Sequence, residues 1–215
     1  MGVVASTSPD SVFLFRFRLL PTYACSNLNF DRLSIPPAMA VCTRDVLGLQ
    51  LSAPQQELGA LLVFAKDRGS ALLDAHAYCS YPDLPALELL AESWLEVKET
   101  GPRNTVFGYA DASLDMAPLI PGHADNRPFS AAAELLPTID MVPGLGAAFA
   151  TFRAARRQSG SYVAFFAYRV LEDVAYTFEQ PTRIQAWTAM NTAFGTSKDH
   201  WQLLIDAGPI EPPME

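Results

Sequence analysis

Three aspartates and a histidine lie in one proline-rich stretch of the sequence, at Asp111, Asp115, His123 and Asp125. Carboxylate and imidazole groups on loops can bind a metal ion or form an acid–base pair. These four residues are therefore candidate catalytic groups of a small hydrolase-like or metal-dependent site in residues 111–126. The alternative is that they are solvated loop residues, because one histidine and scattered acids complete no recognised motif.

A second group of charged residues interrupts an apolar segment. Residues 162–168 are apolar around the whole circumference of a helix, a pattern typical of a helix buried among others. Glu172 and Asp173 follow Arg169 at spacings of three and four, so all three share one helix face. A buried charge without a partner is costly, so pairing is expected. The pattern predicts an internal ion pair that fixes helix register or, alternatively, a polar site between helices.

Three arginines share one face of another predicted helix, at Arg153, Arg156 and Arg157. Such a face can contact phosphates, pair with acidic residues of the same chain, or be solvated. The formal charge is −8, and residues 61–146 carry 5 basic against 12 acidic residues. Because phosphate binding depends on Lys and Arg, nucleic acid is a disfavoured partner.

The cysteines indicate neither a disulfide framework nor a zinc site. Cys25, Cys42 and Cys79 are widely spaced, without a Cys-x-x-Cys pair. Buried free thiols in a reducing, cytoplasmic compartment are expected. No metal site or cofactor is predicted, since the Gly-Leu-Gly at 144–146 lacks the Lys and Ser/Thr of a phosphate loop. Membrane association is not predicted, because no run reaches about 18 apolar residues.

Strands are predicted in the N-terminal half of the chain, before the charged groups described above. In residues 12–20, large apolar side chains occupy every second position, at Phe13, Phe15, Phe17 and Leu19, and this period of two predicts a strand with one apolar face. Two apolar runs, 58–65 and 71–79, flank a Lys-Asp-Arg-Gly-Ser segment that is typical of a hairpin loop. The three runs predict an antiparallel sheet, in which Asp74, His76 and Tyr78 would share one solvated or ligand-binding face.

The middle of the chain gives weaker signals. Residues 83–94 carry helical spacing after a Pro-Asp-Leu-Pro start, although the chain from Trp94 can equally begin a strand. Residues 105–110 predict a short strand, and the prolines of 111–130 predict a long loop.

Helices are predicted in the second half of the chain, where alanine-rich stretches alternate with proline and glycine. The expected helices are 146–158, 161–178, 183–194 and 198–207, with Ser161, Thr182 and Ser197 as candidate caps. The fold class is therefore α+β, an antiparallel sheet in the N-terminal half followed by a helical bundle segment in the C-terminal half. We expect a strand-rich region at 1–130 and a helical region at 131–215.

The stretch from Tyr162 through Glu172, with its Phe-x-x-Tyr-Arg-Val-Leu-Glu core, resembles the inner helix of bacterial HEPN-type helical domains. The segment also resembles uncharacterised Apea-like and methylamine-utilisation accessory proteins. Trp187, Met190 and the turn at 195–201 suit the next helices, so the resemblance covers residues 145–207. It implies a helical bundle that dimerises.

Many HEPN domains act as metal-independent ribonucleases through an Arg-x4–6-His motif. His76, His123 and His200 each lack an arginine at the required distance upstream. The resemblance therefore implies a catalytically incomplete relative rather than a ribonuclease.

The sequence favours a non-catalytic binding module of HEPN-like type, which acts through protein contacts or self-association. The alternative is an enzyme with its site at 111–126. A third interpretation is RNA binding without cleavage, through the three arginines of 153–157.

Overall fold

The predicted α+β class is confirmed by the computed structural model, with an antiparallel sheet in the N-terminal half and helices in the C-terminal half. The structure describes residues 11–25, 28–53, 58–97, 126–159 and 162–207. The strands are β1 (Ser11–Leu20), β2 (Asn29–Ile35), β3 (Ala38–Thr43), β4 (Val46–Ala53) and β5 (Glu88–Val97). The helices are α1 (Leu58–Cys79), α2 (Arg127–Met141), α3 (Leu145–Arg156), α4 (Tyr162–Tyr176), α5 (Arg183–Phe194) and α6 (Lys198–Ala207).

The sheet has the order β2-β3-β4-β1-β5, and every neighbouring pair is antiparallel. The alternation in β1 gives it one fully buried face, as its period of two predicts. Phe15 lies opposite Leu49 of β4, and both side chains are completely buried. The buried face of the two central strands consists of Phe13, Phe15, Phe17, Leu19, Leu47, Leu49 and Leu51.

Helix α1 corrects the prediction of two strands joined by a hairpin at residues 58–79. The apolar runs looked like strands because Gly69 and its polar neighbours resemble a turn. In the structure Gly69 lies inside the helix, where an added Cβ would be 3.1 Å from Leu89 Cδ2 and 3.3 Å from Leu49 Cδ1. Glycine is therefore the residue that lets this helix approach the sheet closely. The buried Arg68 Nε also donates to the carbonyl of Ile35 at 3.2 Å.

The structure differs from the helix expected at 83–94 and agrees with the alternative of a strand from Trp94. Residues 88–97 form strand β5, because they pair along most of β1. Strands β2, β3 and β4 were not predicted at all. Their short apolar stretches are interrupted by Pro36-Pro37 and by Arg44-Asp45, which are the turns between them.

The predicted helices of the second half are confirmed as α3, α4, α5 and α6. The Thr182 side chain caps α5 by accepting the backbone N–H of Gln185, and Gly195 ends the helix with φ +63°. Helix α2 begins at Arg127, inside the segment that was expected to be loop up to residue 130. The expected strand at 105–110, the loop from 111 to 125 and the cap at Ser161 lie outside the described residues.

The chain divides into two compact units. Among the described residues, the sheet unit contains those up to Ser70, together with 88–97 and Asn126. The helical unit contains residues 71–87 and those from Arg127 onward. Helix α1 contributes its first part to the sheet unit and its second part to the helical unit. The expected regions 1–130 and 131–215 differ from this division chiefly at residues 71–87.

Candidate functional site

The charged residues of α4 form ion pairs along one face of the helix, as their spacing predicts. Arg169 Nη1 lies 3.0 Å from Glu172 Oε2, and its Nη2 lies 3.9 Å from Asp173 Oδ1. Glu172 is buried, so its charge needs partners. The second partner of Glu172 comes from α5, where Arg183 Nη2 lies 2.5 Å from Glu172 Oε1.

Further polar contacts extend from these ion pairs to the neighbouring helices. Thr151 of α3 donates its hydroxyl hydrogen to Asp173 Oδ2 at 2.6 Å. Arg183 also donates to the Tyr168 hydroxyl oxygen, and the Tyr168 ring stacks on Trp187 with centroids 6.0 Å apart. Burial, and next the Glu172 carboxylate, raise the pKa of Tyr168, whereas Arg183 opposes the shift. The network thereby connects α4 with α3 and α5.

The network is balanced in charge and satisfied in hydrogen bonding. The two carboxylates, Glu172 and Asp173, contact two guanidinium groups, and a tyrosine and a threonine hydroxyl complete the set. A general base must be a carboxylate that can reach a proton of the substrate. Glu172 and Asp173 instead both contact residues of the protein itself. This geometry favours the structural interpretation, in which the network fixes the register of three helices.

The surface of α4 overturns the expectation that this apolar helix is fully buried. Only Glu172 and Ala175 are buried, whereas Tyr162 is 65% exposed and Tyr176 is 54% exposed. Together with Arg169, whose side chain is also half exposed, these tyrosines follow a spacing of seven residues. Residues at that spacing lie on one line along a helix. We call Tyr162, Arg169 and Tyr176 the α4 stripe.

The arginines of α3 do not form the free basic face that phosphate binding requires. Arg153 Nε lies 2.7 Å from Asp74 Oδ1, and its Nη1 donates to the carbonyl of Leu87 at 3.5 Å. The contact with Asp74 is an ion pair without the alignment of a hydrogen bond, since Oδ1 accepts none from the described part of the chain. Arg157 is exposed.

Arg156 is held by the end of α1 and the loop that follows it. Its guanidinium donates to the carbonyls of Ala77 and Leu84, and to the Ser80 hydroxyl at 3.1 Å. The last carbonyls of a helix have no partner within the helix, and a cation there also interacts favourably with the helix dipole. Arg156 therefore caps α1, and burial lowers its pKa.

The row of Asp74, His76 and Tyr78 does not exist as a sheet face. These residues lie on α1, where Asp74 and His76 are buried and Tyr78 is exposed. His76 is only 1% exposed and packs on Phe129 of α2, with ring centroids 4.1 Å apart. Among the residues that the structure describes, neither ring nitrogen of His76 has a hydrogen-bond partner. The sequence signal for the burial of His76 is its helical spacing, four residues after the apolar Leu72.

Burial shifts the pKa values of His76 and Asp74 in opposite directions. Burial, and secondly the charge of Arg156, lower the pKa of His76 from 6.5 to about 4. Burial raises the pKa of Asp74 from 3.8 to about 6, although Arg153 opposes the shift. The folded protein therefore favours the uncharged form of both side chains near pH 5.

The remaining candidates offer no further chemistry within the described residues. Asp111, Asp115, His123 and Asp125 lie outside them, and the described part of the chain holds no group of three His, Cys, Asp or Glu residues placed to bind a metal. Cys25 and Cys42 are free and buried, as expected, and Cys79 is half-buried. None of the described helices is long and apolar enough to span a membrane.

One serine–histidine contact resembles a catalytic dyad but is a helix cap. His200 Nδ1 lies 3.0 Å from the Ser197 hydroxyl and also accepts the Ser197 backbone N–H at 3.0 Å. A side chain on the third residue of a helix that accepts from the capping residue is half of a capping box. The imidazole therefore serves the start of α6.

Comparisons with family models, curated proteins and solved structures found no match to this chain.

Proposed function

We propose that this protein is a self-associating interaction module, and that two copies meet through the α4 stripe. The observation that carries the proposal is the exposure of Tyr162 and Tyr176 on a helix whose sequence is apolar almost throughout. Tyrosine and arginine, together with tryptophan, are enriched at the energetic centres of protein interfaces. The resemblance of this segment to HEPN-type domains, which implies dimerisation, supports the same function.

The stripe has the symmetry that a two-fold interface needs. Arg169 lies midway between Tyr162 and Tyr176 in the sequence, seven residues from each. In an antiparallel pair of α4 helices, Tyr162 therefore faces Tyr176 of the partner subunit, and the reverse contact forms at the other end. Glu172 and Asp173 lie beside Arg169 and offset the repulsion between the two arginines at the axis.

The test is the solution mass of the full chain by light scattering across a concentration series. The wild type is expected to approach twice the 23.4 kDa of one chain as the concentration rises. The double variant Tyr162→Glu/Tyr176→Glu places two charges in the interface and is expected to remain a monomer with an unchanged circular dichroism spectrum. Ile184→Glu, on the exposed surface of α5, is the matched control and should dimerise as the wild type does.

Three results would each contradict a part of this proposal. A wild type that stays monomeric at every concentration removes self-association. A double variant that still dimerises removes the α4 stripe as the interface. A control that becomes monomeric places the interface on α5 instead.

The other functions have less support. RNA binding without cleavage relies on Arg153, Arg156 and Arg157, yet the first two are held by partners within the protein. The enzyme alternative relies on residues 111–126, and no described residue supplies an observation in its favour.

A further inference from the structure

A second exposed aromatic surface lies on the helical unit, at the end of α1, in the turn after it and on α3. Tyr78 is 57% exposed and Tyr81 is 63% exposed. Each packs edge-to-face on Phe152 with ring centroids 6.0 Å apart, and Tyr78 also packs on Phe149 at 5.4 Å. We call Tyr78, Tyr81, Phe149 and Phe152 the aromatic surface.

A guanidinium group lies beside this surface. The guanidinium carbon of Arg156 is 5.3 Å from the centroid of the Tyr81 ring, within the range of a cation–π contact. Its Nη1 and Nη2 donate to the carbonyls of Ala77 and Leu84 and to the Ser80 hydroxyl, which are all neutral oxygens. Among the described residues no carboxylate pairs with this cation, and its Nε–H donates to none of them. An anionic group that approaches Tyr81 is therefore attracted.

The two tyrosines are close enough for one turn of a polyproline II helix to contact both. Since each ring centroid lies 6.0 Å from that of Phe152, the two tyrosine rings are at most twice this distance apart. Prolines in a P-x-x-P pattern repeat about every 9 Å along a polyproline II helix, so one proline can contact each ring. Such segments dock on aromatic surfaces with little loss of conformational entropy, and tyrosine hydroxyls can donate to their carbonyls.

We propose that the aromatic surface binds an acidic, proline-rich segment of a partner protein. Two prolines at P-x-x-P spacing contact Tyr78 and Tyr81, and an aspartate or glutamate between them pairs with Arg156. The charge of Arg156 selects an acidic segment over a basic one, because a lysine or arginine at the same position is repelled. The four aromatic residues are not part of the α4 stripe, so this contact does not depend on dimerisation.

Charge also distinguishes this occupant from single-stranded nucleic acid, which stacks on exposed aromatic rings. Nucleic-acid surfaces combine such rings with several cations that follow the phosphate backbone. Here Arg153 is paired with Asp74, Asp83 lies exposed in the turn after Tyr81, and the chain carries a net charge of −8. One guanidinium matches one carboxylate better than it matches a polyanion.

The test titrates the full-length, 15N-labelled chain with a synthetic peptide that repeats Pro-Ala-Glu three times, ends in proline and has blocked termini. Saturable changes in amide chemical shift are expected at residues 78–84 and 149–156. Tyr78→Ala and Tyr81→Ala should each weaken binding about tenfold without a change in the circular dichroism spectrum, because each removes one ring that holds a proline. Tyr23→Ala is the matched control on an exposed tyrosine of the sheet unit, and it should bind as the wild type does.

Two further peptides separate the contribution of charge from that of proline. Arg156 also caps α1, so its contact is tested by a change in the peptide instead of in the protein. Replacement of every Glu by Gln should weaken binding about fivefold, the effect of losing one partly exposed ion pair. A peptide that repeats Ala-Ala-Glu keeps the charges without the prolines and should give no saturable shift.

The inference is overturned if the acidic proline peptide gives no saturable shift up to about 1 mM. It is also overturned if either tyrosine variant binds as tightly as the wild type, or if the Gln peptide binds as tightly as the Glu peptide. Shifts at residues 78–84 with oligouridylate, but not with the acidic peptide, would replace it by nucleic-acid binding. The Tyr162→Glu/Tyr176→Glu variant should bind the peptide unchanged, which keeps this result separate from that of the dimer test.

Discussion

The buried pair of titrating groups on α1 gives the most specific prediction about stability. His76 is neutral in the folded protein down to about pH 4, whereas an unfolded histidine takes a proton below about pH 6.5. Between these values the unfolded state binds more protons, so the histidine's contribution to stability is lost as the pH falls. At about 1.4 kcal/mol per pH unit, the loss from pH 6.5 to pH 4 is about 3 kcal/mol.

Asp74 acts in the opposite direction. Its folded pKa of about 6 lies above the ordinary 3.8, so between these values the folded state binds more protons. Acidification from pH 6 to pH 4 therefore stabilises the fold through Asp74, by a similar amount of about 3 kcal/mol. In the wild type the two contributions nearly cancel over this range of pH.

Single substitutions separate the two contributions. We expect His76→Leu to become more stable relative to the wild type as the pH falls from 6.5 to 4. The variant lacks the histidine whose protonation in the unfolded state destabilises the wild type. Asp74→Asn should become less stable relative to the wild type between pH 6 and pH 4. The measurement is the free energy of unfolding from urea titrations at half-unit steps from pH 4 to pH 7.5.

The difference between variant and wild type is the informative quantity, because the titration of all other groups cancels in it. The two differences should change with opposite signs. If neither changes with pH, or if both change in the same direction, then the burial of these side chains does not control their protonation, and the reasoning is wrong.

Two further predictions concern the cap of α1 and the cysteines. Arg156→Ala should lower the free energy of unfolding by about 2 kcal/mol, because it leaves partly buried carbonyl acceptors at the end of α1 and in the loop after it without a donor. Arg157→Ala should cost less than about 1 kcal/mol by the same urea titration, since Arg157 is exposed. A larger loss for Arg157→Ala than for Arg156→Ala would contradict the capping role. Burial raises the pKa values of Cys25 and Cys42 to about 12, so at pH 8 a disulfide reagent should label Cys79 first. Labelling of all three thiols at the rate seen in urea would contradict their burial.

The α4 ion pairs show what local spacing can predict about a site. Pairing of Arg169 with Glu172 and Asp173 needs only the helical periodicity, so it was evident from the sequence. The additional contact from Arg183 was not evident from the sequence, because Arg183 belongs to another helix. The exposure of Tyr162 and Tyr176 also depends on where the other helices stop covering α4.

The arginines of α3 show the limit of such reasoning. Their shared helix face was predicted from spacing alone. Whether Arg153 and Arg156 face solvent or protein depends on α1 and the loop after it, where their partner residues lie more than 65 positions away in the chain. No pattern within α3 contains that information.

The sequence by itself determined the α+β class, the strand β1 and the helices α3 to α6, because alternation, proline, glycine and the Thr182 cap act within a few residues of one another. Only the tertiary structure decided between helix and strand in α1 and β5. A short apolar run is compatible with both, and the choice is made by the surface that buries it. Gly69 illustrates the reason, since the property that resembles a turn in the sequence is the one that lets α1 approach Leu49 and Leu89.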